Sequence, residues 1–169
     1  MTETTLLDAA AEADALAEEG REQEVAELRA RWADEIEAAA RDSDYRRRVV
    51  AYRAIGQFRF RQKTELLRRG LEDESPACRG SALMSIERLS RDSPGAVNDV
   101  RPILHRLVSA DDNQVVRRLA ALCLRNGSPH RETIVLLEGL ADDDRLDREL
   151  RGVAARIAAG LKKKASARA

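Results

Sequence analysis

Four segments of this 169-residue chain can be laid one beneath another, and this self-similarity constrains the fold more than any other feature. They begin at Asp42, Asp73, Asp111 and Asp142 and read DSDYRRRVVAYRAIGQF, DESPACRGSALMSIERL, DDNQVVRRLAALCLRNG and DDDRLDRELRGVAARIA. Six residues after each leading aspartate stands an arginine: Arg48, Arg79, Arg117 and Arg148. Later columns hold Ala51, Ala82 and Ala120, then small Ala54, Ser85 and Cys123, then apolar Ile55, Ile86 and Leu124. The fourth segment departs, placing Arg151 where the others carry alanine. The leads are 31, 38 and 31 residues apart, a spacing that suits stacked supersecondary units, each too small to bury its apolar face alone.

The units are helical. Ala, Leu, Arg and Glu dominate, all good helix formers, and β-branched and aromatic residues never gather into alternating runs. Between the Asp-led segments lie second apolar stripes at helical spacing: Leu66, Leu67 and Leu71; Val97, Val100, Ile103, Leu104, Leu107 and Val108; Ile134, Val135, Leu137 and Leu140. The first segment finds its partner upstream in Val25, Leu28, Trp32 and Ile36. The expected architecture is therefore all-α, a right-handed α-solenoid of about four helical hairpins with an extra N-terminal helix. Its divisions are an acidic helix or arm over 1–21, a repeat domain over 22–161 and a basic disordered tail over 162–169. Leu146, Leu150, Val153 and Ile157 give the fourth segment its own apolar face, as in a terminal cap.

The Asp-to-Arg offset and the small residues after it resemble the HEAT-repeat family, in particular the short prokaryotic, phycobilin-lyase-like repeats, over roughly residues 22 to 161. Val115 and Val116 before Arg117 give the nearest match. The resemblance implies that Asp42, Arg48, Asp73, Arg79, Asp111, Arg117, Asp142 and Arg148 form a structural ladder tying one turn to the next. It implies little about activity, since this fold serves many functions.

Formal net charge is zero, yet the charges are segregated. Residues 1–44 hold fourteen acids against four bases, and residues 45–69 hold nine bases against Glu65 alone. Two readings fit the basic segment. Arg46, Arg47, Arg53, Arg59, Arg61 and Lys63, interleaved with Tyr52, Phe58 and Phe60, offer the cations and stacking rings of a nucleic-acid site. Alternatively Tyr52 and Phe58 are core and the arginines pair with the acidic N-terminal helix. That stretch places Leu6, Ala10 and Ala13 on one helical face, opens with Thr5 and Asp8 in capping-box spacing and breaks at Gly20.

Catalytic and metal chemistry finds no residue set here. His105 and His130 are the only histidines and lie in different repeats, and Cys78 and Cys123 sit inside helical patterns as reduced, buried thiols. No cofactor is implied, no apolar run is long enough to span a membrane, and no secretion signal stands at the N-terminus, so a cytoplasmic protein is expected. The function this supports is a non-enzymatic scaffold or adaptor that binds another protein, one with an acidic surface, on the concave face of the solenoid. Its expected contacts are Arg47, Arg53, Glu87, Arg88, Arg118 and Arg125. Nucleic-acid binding through 46–69 is the alternative, and a non-catalytic subunit of a modifying enzyme a weaker one.

Overall fold

The turns show why the leading aspartates recur. A computed structural model describes residues 4–168, which are helical with no strand among them. Met1 to Glu3 of the expected arm and Ala169 of the expected tail lie outside the described residues. The chain divides into two compact units, Met1–Leu89 and Ser90–Ala169.

The first unit holds α1 (Leu6–Glu18), α2 (Glu22–Ala40), α3 (Tyr45–Gln57), α4 (Thr64–Leu71) and α5 (Pro76–Ser90), the last ending where the units divide. Thr5 and Asp8 cap α1 reciprocally, each side chain accepting from the other's backbone N–H. Gly20, at φ 74°, ends it: the Arg21 and Gly20 amides donate to the Leu16 and Ala17 carbonyls, a Schellman closure that needs a left-handed residue. Leu6, Ala9, Ala10 and Ala13 are buried, and α1 packs on both α2 and α3. Whether the acidic helix is free or docked is thus decided: it docks.

Between α2 and α3, Asp42 Oδ1 accepts from the Asp44 amide at 2.8 Å, and Asp44 caps α3. Between α4 and α5, Asp73 Oδ1 accepts from the Ser75 amide at 2.9 Å. The six-residue offset brings an arginine back to the same turn one helical turn later. Arg48 Nη1 donates to the Asp42 and Ser43 carbonyls at 3.0 and 3.1 Å, and Arg79 Nη1 repeats this with Asp73 and Glu74. Arg48 also reaches the next turn, donating from Nε and Nη2 to both oxygens of Asp73 at 2.8 and 2.9 Å. Both partners are buried, at 10% and 7% side-chain exposure. Burial alone would raise the Asp73 carboxyl, but Arg48 and the Ser75 amide outweigh it and hold it below its ordinary value.

The small-residue columns allow close approach. Ser85 Oγ accepts from the Gly56 amide at 2.9 Å and donates to the Tyr52 carbonyl, joining α5 to α3. A Cβ at Gly56 would stand 2.7 Å from the Ser85 Cα.

The second unit holds α6 (Gly95–Asn98), α7 (Arg101–Ala110), α8 (Gln114–Leu124), α9 (Arg131–Asp142) and α10 (Arg148–Ser166). The stripe from Val97 to Val108 is two helices, because Val100 leaves helical geometry and Pro102, without an N–H, opens α7. The added α6 accounts for the longer 38-residue step. It is tied to the loop after α8: Asn98 donates to Ser128 Oγ and accepts from the Ser128 amide, both at 3.0 Å, and a Cβ at Gly127 would meet Val97 Cγ1 at 2.7 Å.

The α7–α8 turn repeats the pattern, with Asp111 accepting from the Asn113 amide, Asn113 capping α8, and Arg117 donating to the Val108 and Ser109 carbonyls at 3.0 Å. The fourth turn departs from the expected alignment. Asp143, not Asp142, accepts from the Arg145 amide, and Arg151, not Arg148, reaches back to the Ala141 carbonyl at 3.3 Å. Asp142 belongs to the last turn of α9, while Arg148 is exposed at the start of α10. The turn is longer because Asp147, rather than a residue two after the aspartate, caps α10.

Two further expectations change. Residues 162–166 are not a disordered tail but the end of α10. Buried Leu161 holds the helix, Lys162 pairs with Glu138, and Lys164 Nζ donates to the Arg125 carbonyl at 2.8 Å; lysines there also suit the negative end of the helix dipole. Val135 faces outward at 58% exposure instead of joining the core with Leu137.

These contacts set the stability of three variants. Arg48→Ala leaves the Asp73 carboxylate buried without its main partner, so urea unfolding should register a loss of about 3–5 kcal/mol; a loss under 1 kcal/mol would contradict the role given to the pair. Gly56→Ala should cost about 1–3 kcal/mol through the clash with α5. Gly139→Ala in α9, where no atom lies within 4 Å of the new Cβ, should instead gain about 0.5–1 kcal/mol.

Candidate functional site

The basic segment meets carboxylates of its own unit. Tyr52 and Phe58 are fully buried, with the Tyr52 hydroxyl donating to the Ala40 carbonyl, so neither ring is available for stacking on a base. Arg59 stands in the left-handed region at φ 53°. There it closes α3 as Gly20 closes α1: the Arg59 and Phe60 amides donate to the Gly56 and Ile55 carbonyls. An arginine in this conformation carries strain that glycine would not. Its guanidinium offsets it by donating to Asp14 Oδ1 at 3.0 Å, Glu18 Oε1 at 2.8 Å and the Gly56 carbonyl at 3.0 Å.

Other members of the segment are engaged similarly. Lys63 donates to Glu37 at 2.5 Å and lies over the Phe60 ring. Arg47 pairs with Asp42 at 2.9 Å, and Arg48 with Asp73. Arg46 lies over the Tyr45 ring at 5.8 Å; Arg53 and Arg61 are exposed.

The residues expected to contact a protein partner fare unequally. In the first unit, Arg88 is half-buried and donates to Asp14 Oδ2 at 2.8 Å, so Asp14 bridges Arg59 and Arg88 and fastens the C-terminal half of α1. Glu87 is half-buried, Arg47 is held by Asp42, and Arg53 projects from α3. In the second unit, Arg118 pairs with Asp147 and Glu149 at 3.3 and 3.1 Å, while Arg125 is exposed beyond the end of α8.

Arg125 belongs to a feature that the sequence reading missed. A groove of about 300 Å³ runs between α8 and α10, lined by Leu122, Val153, Ile157, Gly160 and Leu161, with Arg125, Arg156 and Lys164 at its edge. No carboxylate lines it. Val153, Ile157 and Leu161 are mostly buried and form the floor, while Arg156, Gly160 and Lys164 form the parallel outer row, each spaced four apart. That spacing was a visible signal, but assigning Lys162 onward to a tail removed Lys164 from it.

A family model described as HEAT repeats matches residues 33–125, the stretch that holds the first three turn aspartates, their returning arginines and the small-residue columns. The chain belongs to the HEAT-repeat family. HEAT repeats are generally protein-interaction scaffolds. Comparison with curated proteins yields no match to the chain.

Within this HEAT-repeat protein the other reactive groups are held quietly. Burial pushes the Cys78 thiol up, away from thiolate, and Cys78 donates to the Tyr45 carbonyl. His105 Nε2 lies 2.8 Å from Thr133 Oγ1, and burial holds its imidazole below the ordinary value. Among the described residues no group of His, Cys, Asp and Glu could hold a metal ion, and no helix is long and apolar enough to cross a membrane.

The Asp14 bridge is directly testable. Asp14→Ala should loosen the end of α1, with an expected cost of about 1–2 kcal/mol given its partial exposure, and trypsin should cut after Arg21 faster than in the parent. Equal cleavage rates would mean that apolar packing alone holds α1.

Proposed function

We propose that this HEAT-repeat chain is a non-enzymatic scaffold or adaptor that recruits a partner protein bearing an acidic surface, using faces offered by its second helices. The observation that carries the reading is the contrast between the units. In the first, the chain's own carboxylates take up Arg47, Arg48, Arg59, Lys63 and Arg88. In the second, Arg156 and Lys164 border an apolar groove with no carboxylate among its lining residues. Charge complementarity directs such a surface toward acidic partners. Against nucleic-acid binding through 46–69, Arg59 and Lys63 are already paired with carboxylates and Tyr52 and Phe58 lie in the core.

Affinity capture of the tagged full chain, with and without nuclease, tests the reading. The expected result is a nuclease-resistant protein partner that is lost with Arg53→Glu/Arg125→Glu, while the circular dichroism melt of that variant is unchanged. Capture that disappears on nuclease treatment would overturn it in favour of nucleic acid.

A further inference from the structure

We propose that the α8–α10 groove receives an acidic amphipathic helix of the partner protein, a proposal that rests on the scaffold reading. The floor residues Val153, Ile157 and Leu161 and the outer row Arg156, Gly160 and Lys164 follow α10 for three turns, about 17 Å at helical rise, and Leu122 closes the far side. An occupant helix with apolar side chains at i, i+3, i+4, i+7 and i+11 presents a stripe of about the same length and period. Its flanking carboxylates would meet Arg156 and Lys164.

Two details favour a helix over a simple polyanion. The floor is aliphatic, and a phosphate backbone gains nothing from covering it, whereas each aliphatic side chain buried there contributes through the hydrophobic effect. Gly160 interrupts the outer row: its backbone is ordinary helix, and a Cβ there would meet no atom within 4 Å. Unlike Gly56 and Gly127, it answers to no close approach within the chain. The gap between Arg156 and Lys164 is where an occupant's side chain can enter. Lys164 is steadied for this role, since its ammonium donates to the Arg125 carbonyl, while neighbouring Lys162 turns to Glu138.

The test titrates the full-length protein with a labelled synthetic peptide carrying leucine at i, i+3, i+4, i+7 and i+11 and glutamate at most other positions. A peptide with lysine for each glutamate and vesicles rich in anionic phospholipid are run alongside. Saturable binding of the glutamate peptide is expected, at least about tenfold tighter than the lysine peptide. Gly160→Trp, which fills the groove, and Arg156→Glu/Lys164→Glu, which reverses its edge, should each weaken binding about tenfold or more with the thermal melt unchanged. Equal binding of both peptides, no binding of either, or preference for the vesicles overturns the proposal. Glutamate-peptide binding that ignores both groove variants yet falls with Arg53→Glu also overturns it, while leaving the scaffold reading in place. Capture that proves nuclease-sensitive removes the scaffold reading itself.

Discussion

In each hairpin a guanidinium from the second helix takes up main-chain carbonyl oxygen at the end of the first helix or in the turn that follows it. Arg48, Arg79, Arg117 and Arg151 all do this. A helix end leaves carbonyls without internal partners, and a short turn cannot supply enough donors for them. Arginine can, because it carries five N–H donors on one plane and stays charged at any working pH. The aspartate that opens the turn completes the arrangement by accepting from the amide two residues on. With the turn saturated from both sides, the angle between the two helices is set and their apolar stripes meet. At Arg48 the same group continues to Asp73, so one turn is fixed to the next.

Charge segregation along the chain has a structural use. The acidic residues of α1 and α2 and the basic residues around α3 come together across the first unit, through Asp14, Glu18 and Glu37. Helix α1 has mostly alanine to bury, and alanine offers little area to the hydrophobic effect. The Asp14 bridge to Arg59 and Arg88 supplements that thin interface. It also engages Arg59, one of the cations of the 46–69 segment. In the second unit Arg156 and Lys164 border a groove with an aliphatic floor.

The repeat, its helical class and most core positions were legible because each is written as a spacing. Ala51, Ala82 and Ala120, like Ile55, Ile86 and Leu124, are buried as their columns imply. The fourth turn was not legible. Asp142, Asp143 and Asp144 are chemically alike, and only the backbone path chooses which one accepts from a turn amide, and hence that Arg151 replaces Arg148. The end of α10 was likewise hidden, since its anchors, Glu138 and the Arg125 carbonyl, are distant in sequence. The α8–α10 groove escaped for a related reason: it joins the last residues of one helix to a stripe on another.

Sequence by itself determined the helical class, the apolar face of most helices, and where the first three turns recur. These depend on interactions within a few residues: helical period, caps and the Asp-to-Arg return. Tertiary structure alone decided the fate of the charges. A guanidinium is equally able to hold a carbonyl, a carboxylate or a ligand, and its surroundings settle which. Packing placed Asp14 between Arg59 and Arg88, gave Arg48 the Asp73 carboxylate, and left Arg156 and Lys164 beside an apolar floor.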